Sequence, residues 1–176
     1  MDKNSLLHFK LSDSISNSEL KNFHCSDTLL NQFLKRKAKK HFGELLAVTY
    51  LVMDEYKNIV GYYTLSSDTM PVTDILKSRF EKGKNYQTYP AIKIGRFAID
   101  EQYNGKGYGT EIMNFIKIQF SEKEYQQIGS RFLLVDAYNE EKVLNFYKEK
   151  NNFDFWTMDD KDSKTRLMYF DLKQTI

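Results

Sequence analysis

Three glycines at alternate positions, Gly105, Gly107 and Gly109, stand between a strand-like stretch and a helix-like one, and this junction constrains the fold more than any other part of the chain. The residues before it, Ile92-Lys93-Ile94-Gly95-Arg96-Phe97-Ala98-Ile99-Asp100, read as a strand, and those from Thr110 to about Phe120 carry apolar residues at helical spacing. Glycine admits positive φ and lets the backbone approach a ligand closely. A helix that begins there offers N–H groups without intrahelical partners and the positive end of its dipole. The junction is therefore expected to hold an anion, and phosphate above all.

Spacing separates the known kinds of glycine turn. A nucleotide-binding P-loop ends in Gly-Lys-Ser or Gly-Lys-Thr, whereas Gly105-Lys106 is followed by Gly107, which excludes it. A dinucleotide-binding turn runs G-x-G-x-x-G at the opening of a βαβ unit, with an acidic residue roughly twenty positions on. Here the pattern is G-x-G-x-G and lies well past the middle of the chain, which argues against that fold.

With 176 residues, 41% of them hydrophobic, the chain is expected to form one domain over residues 1–176 with a sizeable core. The formal net charge of +2 permits an acidic partner without demanding one. The single cysteine, Cys25, allows no intrachain disulfide, and together with three scattered histidines it is too little for a structural zinc site, so no metal is expected. No apolar run reaches the roughly eighteen residues that mark a membrane span, and the start of the chain lacks a signal-peptide core, so a cytoplasmic location is expected.

Along the chain, Asp27 is placed to cap a helix with Leu29, Leu30, Phe33, Leu34 and Ala38 on its core face and Gly43 as its stop. Residues 47–53 and 59–65 flank a turn-rich spacer and read as an antiparallel hairpin. Residues 78–87 read as a polar, exposed connection on the substrate side. After the glycine junction and its helix comes Phe132-Leu133-Leu134-Val135-Asp136-Ala137, an apolar run typical of a strand covered on both faces. A helix from about Glu140 to Lys150 and strands around 153–156 and 165–170 complete a mixed α/β sheet flanked by helices.

Gln102-x-x-Gly105-x-Gly107-x-Gly109 after a strand, the strand end Val135-Asp136-Ala137-Tyr138-Asn139, and Phe146-Tyr147 on the next helix resemble the GNAT acetyltransferases over nearly the whole chain. Where that family commonly has Tyr-x-x-x-Gly-Phe, this chain runs one residue longer from Tyr147 to Phe153, with Asn152 in place of the glycine. Asparagine tolerates the left-handed conformation of a helix exit, so the turn is expected to survive. Within the family, Phe23-His24-Cys25, Leu30-Asn31-Gln32-Phe33-Leu34, Gly61-Tyr62-Tyr63-Thr64-Leu65-Ser66 and Ile94-Gly95-Arg96-Phe97-Ala98-Ile99-Asp100 are similar to the toxin-like subgroup that acetylates the amino group of aminoacyl-tRNA.

The resemblance implies the GNAT fold, a mostly antiparallel mixed sheet, with acetyl-CoA as the donor. Backbone groups of Phe97, Ala98 and Ile99 would face the pantetheine arm. Gln102, Asn104, Gly105, Lys106, Gly107, Tyr108, Gly109 and Thr110 would hold the pyrophosphate, and Asn139 joins the cofactor contacts. Tyr147 stands where the family commonly places the general acid that protonates the departing sulfur. Taken without the resemblance, Phe146 and Tyr147 read as helix-to-sheet packing. The toxin-like subgroup also implies a DNA-binding antitoxin partner and a homodimer.

The acceptor is approached through what the strand lacks. No glutamate occupies residues 92–99, where many lysine-acetylating relatives place a base. A lysine amine, with a pKa of about 10.4, needs one, whereas an α-amine near about 7.7–8.0 is already partly neutral at physiological pH. This favours an α-amine acceptor such as aminoacyl-tRNA, with Asp136 or a water chain still open as a base. Lys35, Arg36, Lys37, Lys39, Lys40 and His41 make the outer face of the first long helix basic. Lys35, Arg36 and Lys39 are the residues named for RNA phosphates, the other reading being a solvated helix face. Arg96 is expected to contact substrate or to pair with a buried carboxylate. Cys25, although next to His24, reads as a small core residue, because adjacent side chains point apart.

Overall fold

The computed structural model describes residues 6–12, 15–71, 86–122, 124–125 and 127–175. Strand β1 (Leu7–Lys10) is followed by a short helix α1 (Asn17–Lys21), then α2 (Thr28–Gln32), a π-helical turn (Phe33–Lys37) and α3 (Ala38–Gly43). Strands β2 (Val48–Met53), β3 (Ile59–Pro71) and β4 (Thr88–Ile99) come next, then a 3-10 turn (Glu101–Tyr103) and helix α4 (Tyr108–Ser121). Strand β5 (Phe132–Tyr138), helix α5 (Glu141–Asn151), β6 (Asp154–Phe155) and β7 (Thr165–Asp171) close the chain before a 3-10 turn (Leu172–Thr175). Seven strands make one sheet in the order β1-β2-β3-β4-β5-β7-β6. Among the described residues, no helix is long and apolar enough to cross a membrane. The polar connection expected at 78–87 lies, through residue 85, outside the described residues.

The chain divides into two compact units, Met1–Ser66 with Ile94–Met113, and Ser67–Lys93 with Asn114–Ile176. In the first, the expected hairpin forms: β2 and β3 pair antiparallel from Val48–Leu65 to Met53–Ile59, with an irregularity at Val52/Met53. Strand β1, which sequence alone did not reveal, adds to β2 from Leu7–Met53 to Lys10–Tyr50. A core of Leu20, Phe23, Phe33, Leu34, Tyr62 and Ala98 joins the early helices to this sheet, and buried Cys25 packs with it. The Tyr62 hydroxyl is satisfied by the Leu30 carbonyl at 2.9 Å.

Asp27 caps α2 as expected, accepting from Leu29 N and Leu30 N at 2.7 and 3.3 Å. One expectation for this helix is corrected. Leu29 is 64% exposed rather than in the core, because helical side chains lean toward the N-terminus and a first-turn residue overhangs the helix start. Gly43 ends the helix as expected. Leu45, at φ 57°, makes the left-handed exit, with Leu46 N bonded to the His41 carbonyl and Leu45 N to that of Phe42. Midway, the Ala38 N–H reaches the Phe33 carbonyl five residues back, which is the π turn.

In the second unit, β5 runs parallel to β4 at Ala91–Phe132, Ile92–Leu133 and Lys93–Leu134 and antiparallel to β7 from Phe132–Asp171 to Tyr138–Thr165. Buried positions on both faces explain the continuous apolar run of β5. Met70, Ala91, Phe132, Leu134 and Tyr169 form the core there. Arg131 holds Asp171 bidentately at 2.7 and 2.8 Å, and the Trp156 indole donates to the Pro71 carbonyl at 3.1 Å. Helix α5 ends as its sequence suggested: Asn152 is left-handed at φ 54°, ψ 34°.

Candidate active site

The glycine junction is built by hydrogen bonds that tie it to the hairpin. Asp100, 3% exposed, ends β4 with its N–H on the Val60 carbonyl. Its carboxylate accepts from Gln102 N at 3.0 Å and from His24 N at 2.8 Å. The Tyr103 hydroxyl donates to Asp54 Oδ2 at 2.9 Å. Asp54 in turn gathers the β2–β3 turn by accepting from Tyr56 N, Asn58 N and Asn58 Nδ2. Burial together with the Asp54 carboxylate pushes the Tyr103 phenol up to about 12. Neither Asp54 nor Tyr103 was singled out from sequence. The signal that could have found Asp54 is the Asp-x-Tyr-x-Asn spacing, an acceptor set among turn N–H groups.

Beyond this clamp the backbone turns on glycine. Gly105 and Gly107 have φ of 75° and 88°, and a Cβ added at either would meet nothing within 4 Å. Their requirement is conformational, and the space they leave is open. The Gly107 carbonyl accepts from Glu111 N at 3.2 Å and so starts α4, which places Tyr108, Gly109 and Thr110 at the helix positions whose N–H groups point outward along the axis. Gly109 lies inside the helix, so two of the three glycines, rather than all three, carry the positive φ. The Lys106 ammonium lies 5.5 Å from the Tyr103 ring centroid, and Tyr108 packs edge-on against the same ring.

Phe97, Ala98 and Ile99 form the last residues of β4. A Cβ on Gly61 would come within 2.7 Å of the Ala98 carbonyl oxygen and 2.9 Å of Ile99 Cδ1, so glycine there lets β3 approach this end of β4. Arg96 leads to the basic helix: its guanidinium lies 3.7 Å from the Phe33 ring centroid, and Phe33 is edge-on to His41. Burial, then the charges of Arg96, Lys37 and Lys40, lower the His41 pKa, so these cations share one neighbourhood. Lys35 is half-buried and Arg36 exposed, while the Lys39 ammonium donates to the Ile15 carbonyl. Cys25 is held by its own loop through Asn31 and Asp27, and burial raises its thiol pKa, as befits a packing residue.

In the second unit, Tyr147 is 6% exposed. Its ring packs edge-on against Phe146 and Phe153, and burial raises its phenol pKa above the ordinary value. Among the described residues its hydroxyl makes no hydrogen bond. Asn139 Nδ2 donates to the carbonyls of Lys161 and Ser163 at 2.8 and 2.9 Å, tying the β5–α5 connection to the loop before β7. Asp136, the open candidate for a base, is ion-paired with Lys93 at 2.6 Å.

Residues 15–153 match the acetyltransferase (GNAT) family. The chain belongs to the GNAT acetyltransferase family. Among relatives of this GNAT chain, a probable toxin TacT of Sinorhizobium fredii (strain NBRC 101917 / NGR234) is 27% identical over 117 residues, covering 65% of this chain and 64% of that protein. The match thus spans under two thirds of the relative's length. AtaT complexed with acetyl-methionyl-tRNAfMet superposes with a TM-score of 0.74 at 22% identity, covering 97% of each chain. A mutant AtaT toxin bound to the C-terminus of the antitoxin AtaR and acetyl-CoA gives a TM-score of 0.69 at 23% identity, covering 97% of this chain and 96% of that one. At these identities the likeness to solved structures is one of fold. The GNAT donor is acetyl-CoA, and the turn suits it: two positive-φ glycines with open space where side chains would stand, leading into a helix N-terminus.

Proposed function

We propose that this chain is an acetyl-CoA-dependent N-acetyltransferase whose acceptor is the α-amino group of aminoacyl-tRNA, acting in the cytoplasm to arrest translation. The observation that carries the reading is the glycine turn, with Gly105 and Gly107 at positive φ before α4, since such a backbone leading into a helix N-terminus suits an anion such as a pyrophosphate. When bound, acetyl-CoA supplies an activated acetyl thioester. Gln102 and residues 104–110 would hold its pyrophosphate, the N–H groups at Phe97, Ala98 and Ile99 would orient the pantetheine arm, and Asn139 would add a further cofactor contact.

Tyr147 holds the proton for the leaving sulfur. In the transfer the acceptor nitrogen bonds to the acetyl carbon as the carbon–sulfur bond breaks, the sulfur takes a proton from Tyr147, and the nitrogen gives one up to water. A buried phenol stays protonated at neutral pH, and a hydroxyl with no hydrogen bond among the described residues can donate to a ligand. Asp136 is engaged by Lys93 and β4 carries no glutamate, which supports an α-amine near about 7.7–8.0 over a lysine. Arg96 and the cations around His41 share one neighbourhood, which supports their meeting RNA phosphates. The AtaT structure that carries acetyl-methionyl-tRNAfMet and the AtaT mutant bound to an antitoxin support the acceptor and an antitoxin partner for this chain.

The test is transfer of label from acetyl-CoA in a mixture of total charged tRNA and small amines. Label is expected on the amino acid of the tRNA. Label confined to small amines or to protein would sink the tRNA acceptor while keeping the acetyltransferase.

A further inference from the structure

Lys117, on α4, is a buried charge that the chemistry above leaves unused. It is 6% exposed. Its ammonium donates to the Asn151 carbonyl at 2.6 Å and lies 4.1 Å from the Phe170 ring centroid and 5.6 Å from that of Phe153. No carboxylate pairs with it among the described residues. Asn151 is the last residue of α5, one turn beyond Tyr147, and its own side-chain amide donates to the Phe146 carbonyl at 2.7 Å. The Phe153 ring beside the ammonium is the ring that meets Tyr147 edge-on at 5.5 Å. The N–H groups of Asn152 and Phe153 also close on the Tyr147 carbonyl.

A cation at a helix C-terminus meets the negative end of the dipole, yet one carbonyl and two ring faces replace water poorly. Burial lowers the Lys117 pKa from 10.5 to about 8. Between those values the unfolded chain binds the extra proton, so stability rises with pH there, and at neutral pH the buried ammonium costs the fold. A side chain that costs stability while holding the helix end and the ring beside Tyr147 is kept for geometry.

We propose that Lys117 is a positioning residue, fixing the last turn of α5 and with it the direction of the Tyr147 hydroxyl. The proposal rests on the reading of Tyr147 as the acid. Its test is a double-mutant cycle in the full chain, with single-turnover transfer from labelled acetyl-CoA to total charged tRNA. Lys117→Met, of similar length and without charge, is expected to melt at or above the wild-type temperature at pH 7 and to bind CoA within about twofold of wild type. Its transfer rate falls about tenfold, and it adds no further loss in the Tyr147→Phe background. Lys117→Arg, which keeps charge and donors, recovers most of the rate. A Lys117→Met that is unstable or unfolded marks an ordinary structural lysine and overturns the proposal, as does a full rate or an additive loss. A normal rate in Tyr147→Phe removes the acid, and this proposal with it. A slow Tyr147→Phe beside a full-rate Lys117→Met removes this proposal alone.

Discussion

Tyr147 is 6% exposed and its hydroxyl has no hydrogen bond to a described residue. On the proposed reading its proton goes to the sulfur of the departing thiol. Tyr147→Phe deletes one oxygen and keeps the ring against Phe146 and Phe153. Turnover is therefore expected to fall by about 10²-fold, with the dissociation constant for CoA unchanged by isothermal titration. Unchanged turnover would return Tyr147 to packing. Because burial raises its pKa, the wild-type rate should show no alkaline loss from this group below about pH 10. The sign for stability follows: the raised phenol contributes fully below the unfolded value near about 10, and that contribution is lost as pH climbs toward the folded one. Gly107 makes the complementary residue-scale case. Its φ of 88° strains any side chain, and a branched one would also enter the open space in front of α4. Gly107→Val should weaken CoA binding by at least about tenfold, which is about 1.4 kcal/mol, and a near-normal affinity would mean that the pyrophosphate sits elsewhere.

The elements that sequence revealed are those set by local chemistry. The β2–β3 hairpin follows from two β-rich runs around Asp54–Asn58, and the left-handed Asn152 follows from a helix exit that needs a tolerant residue. Strand β1 escaped because four residues with little burial read as a strand only once β2 is beside them. The π turn escaped because an extra residue in a helix leaves no mark on a 3.6-residue pattern. At the site, the glycine turn was legible from spacing, but the Asp54–Tyr103 and Lys117–Asn151 bonds join residues far apart in sequence. The helix ends at Gly43, but the left-handed Leu45 after it left no mark in the sequence, because glycine or asparagine usually takes that conformation. Leu45 carries a prediction. Leu45 is 91% exposed at φ 57°, so its side chain gains little from packing while its backbone is strained. Leu45→Gly should stabilise the fold by about 1 kcal/mol, read as a higher urea midpoint with unchanged slope. A lower midpoint would mean that Leu45 packs against something in solution.

At the scale of the whole molecule, the acceptor question becomes one of electrostatics. A formal charge of +2 over 176 residues is a weak overall attraction for RNA, so recognition depends on where the cations stand. Arg96 stacked on Phe33 and the cations that depress His41 concentrate them beside one helix. Each phosphate neutralised there releases counterions, so the apparent affinity for charged tRNA should fall with salt at a log–log slope of about 0.7–0.9 per contact. Replacing Arg36, Lys37, Lys40 and Arg96 singly with alanine should flatten that slope by about one unit for each residue that touches phosphate, leaving CoA affinity intact. Lys39 is spared because its ammonium is spent on the Ile15 carbonyl. A small neutral amine brings no row of phosphates, so transfer to it would show almost no salt dependence in the same protein. A flat salt profile with charged tRNA, or a slope that none of the four substitutions changes, would make this helix face a solvated surface and move the acceptor's docking elsewhere.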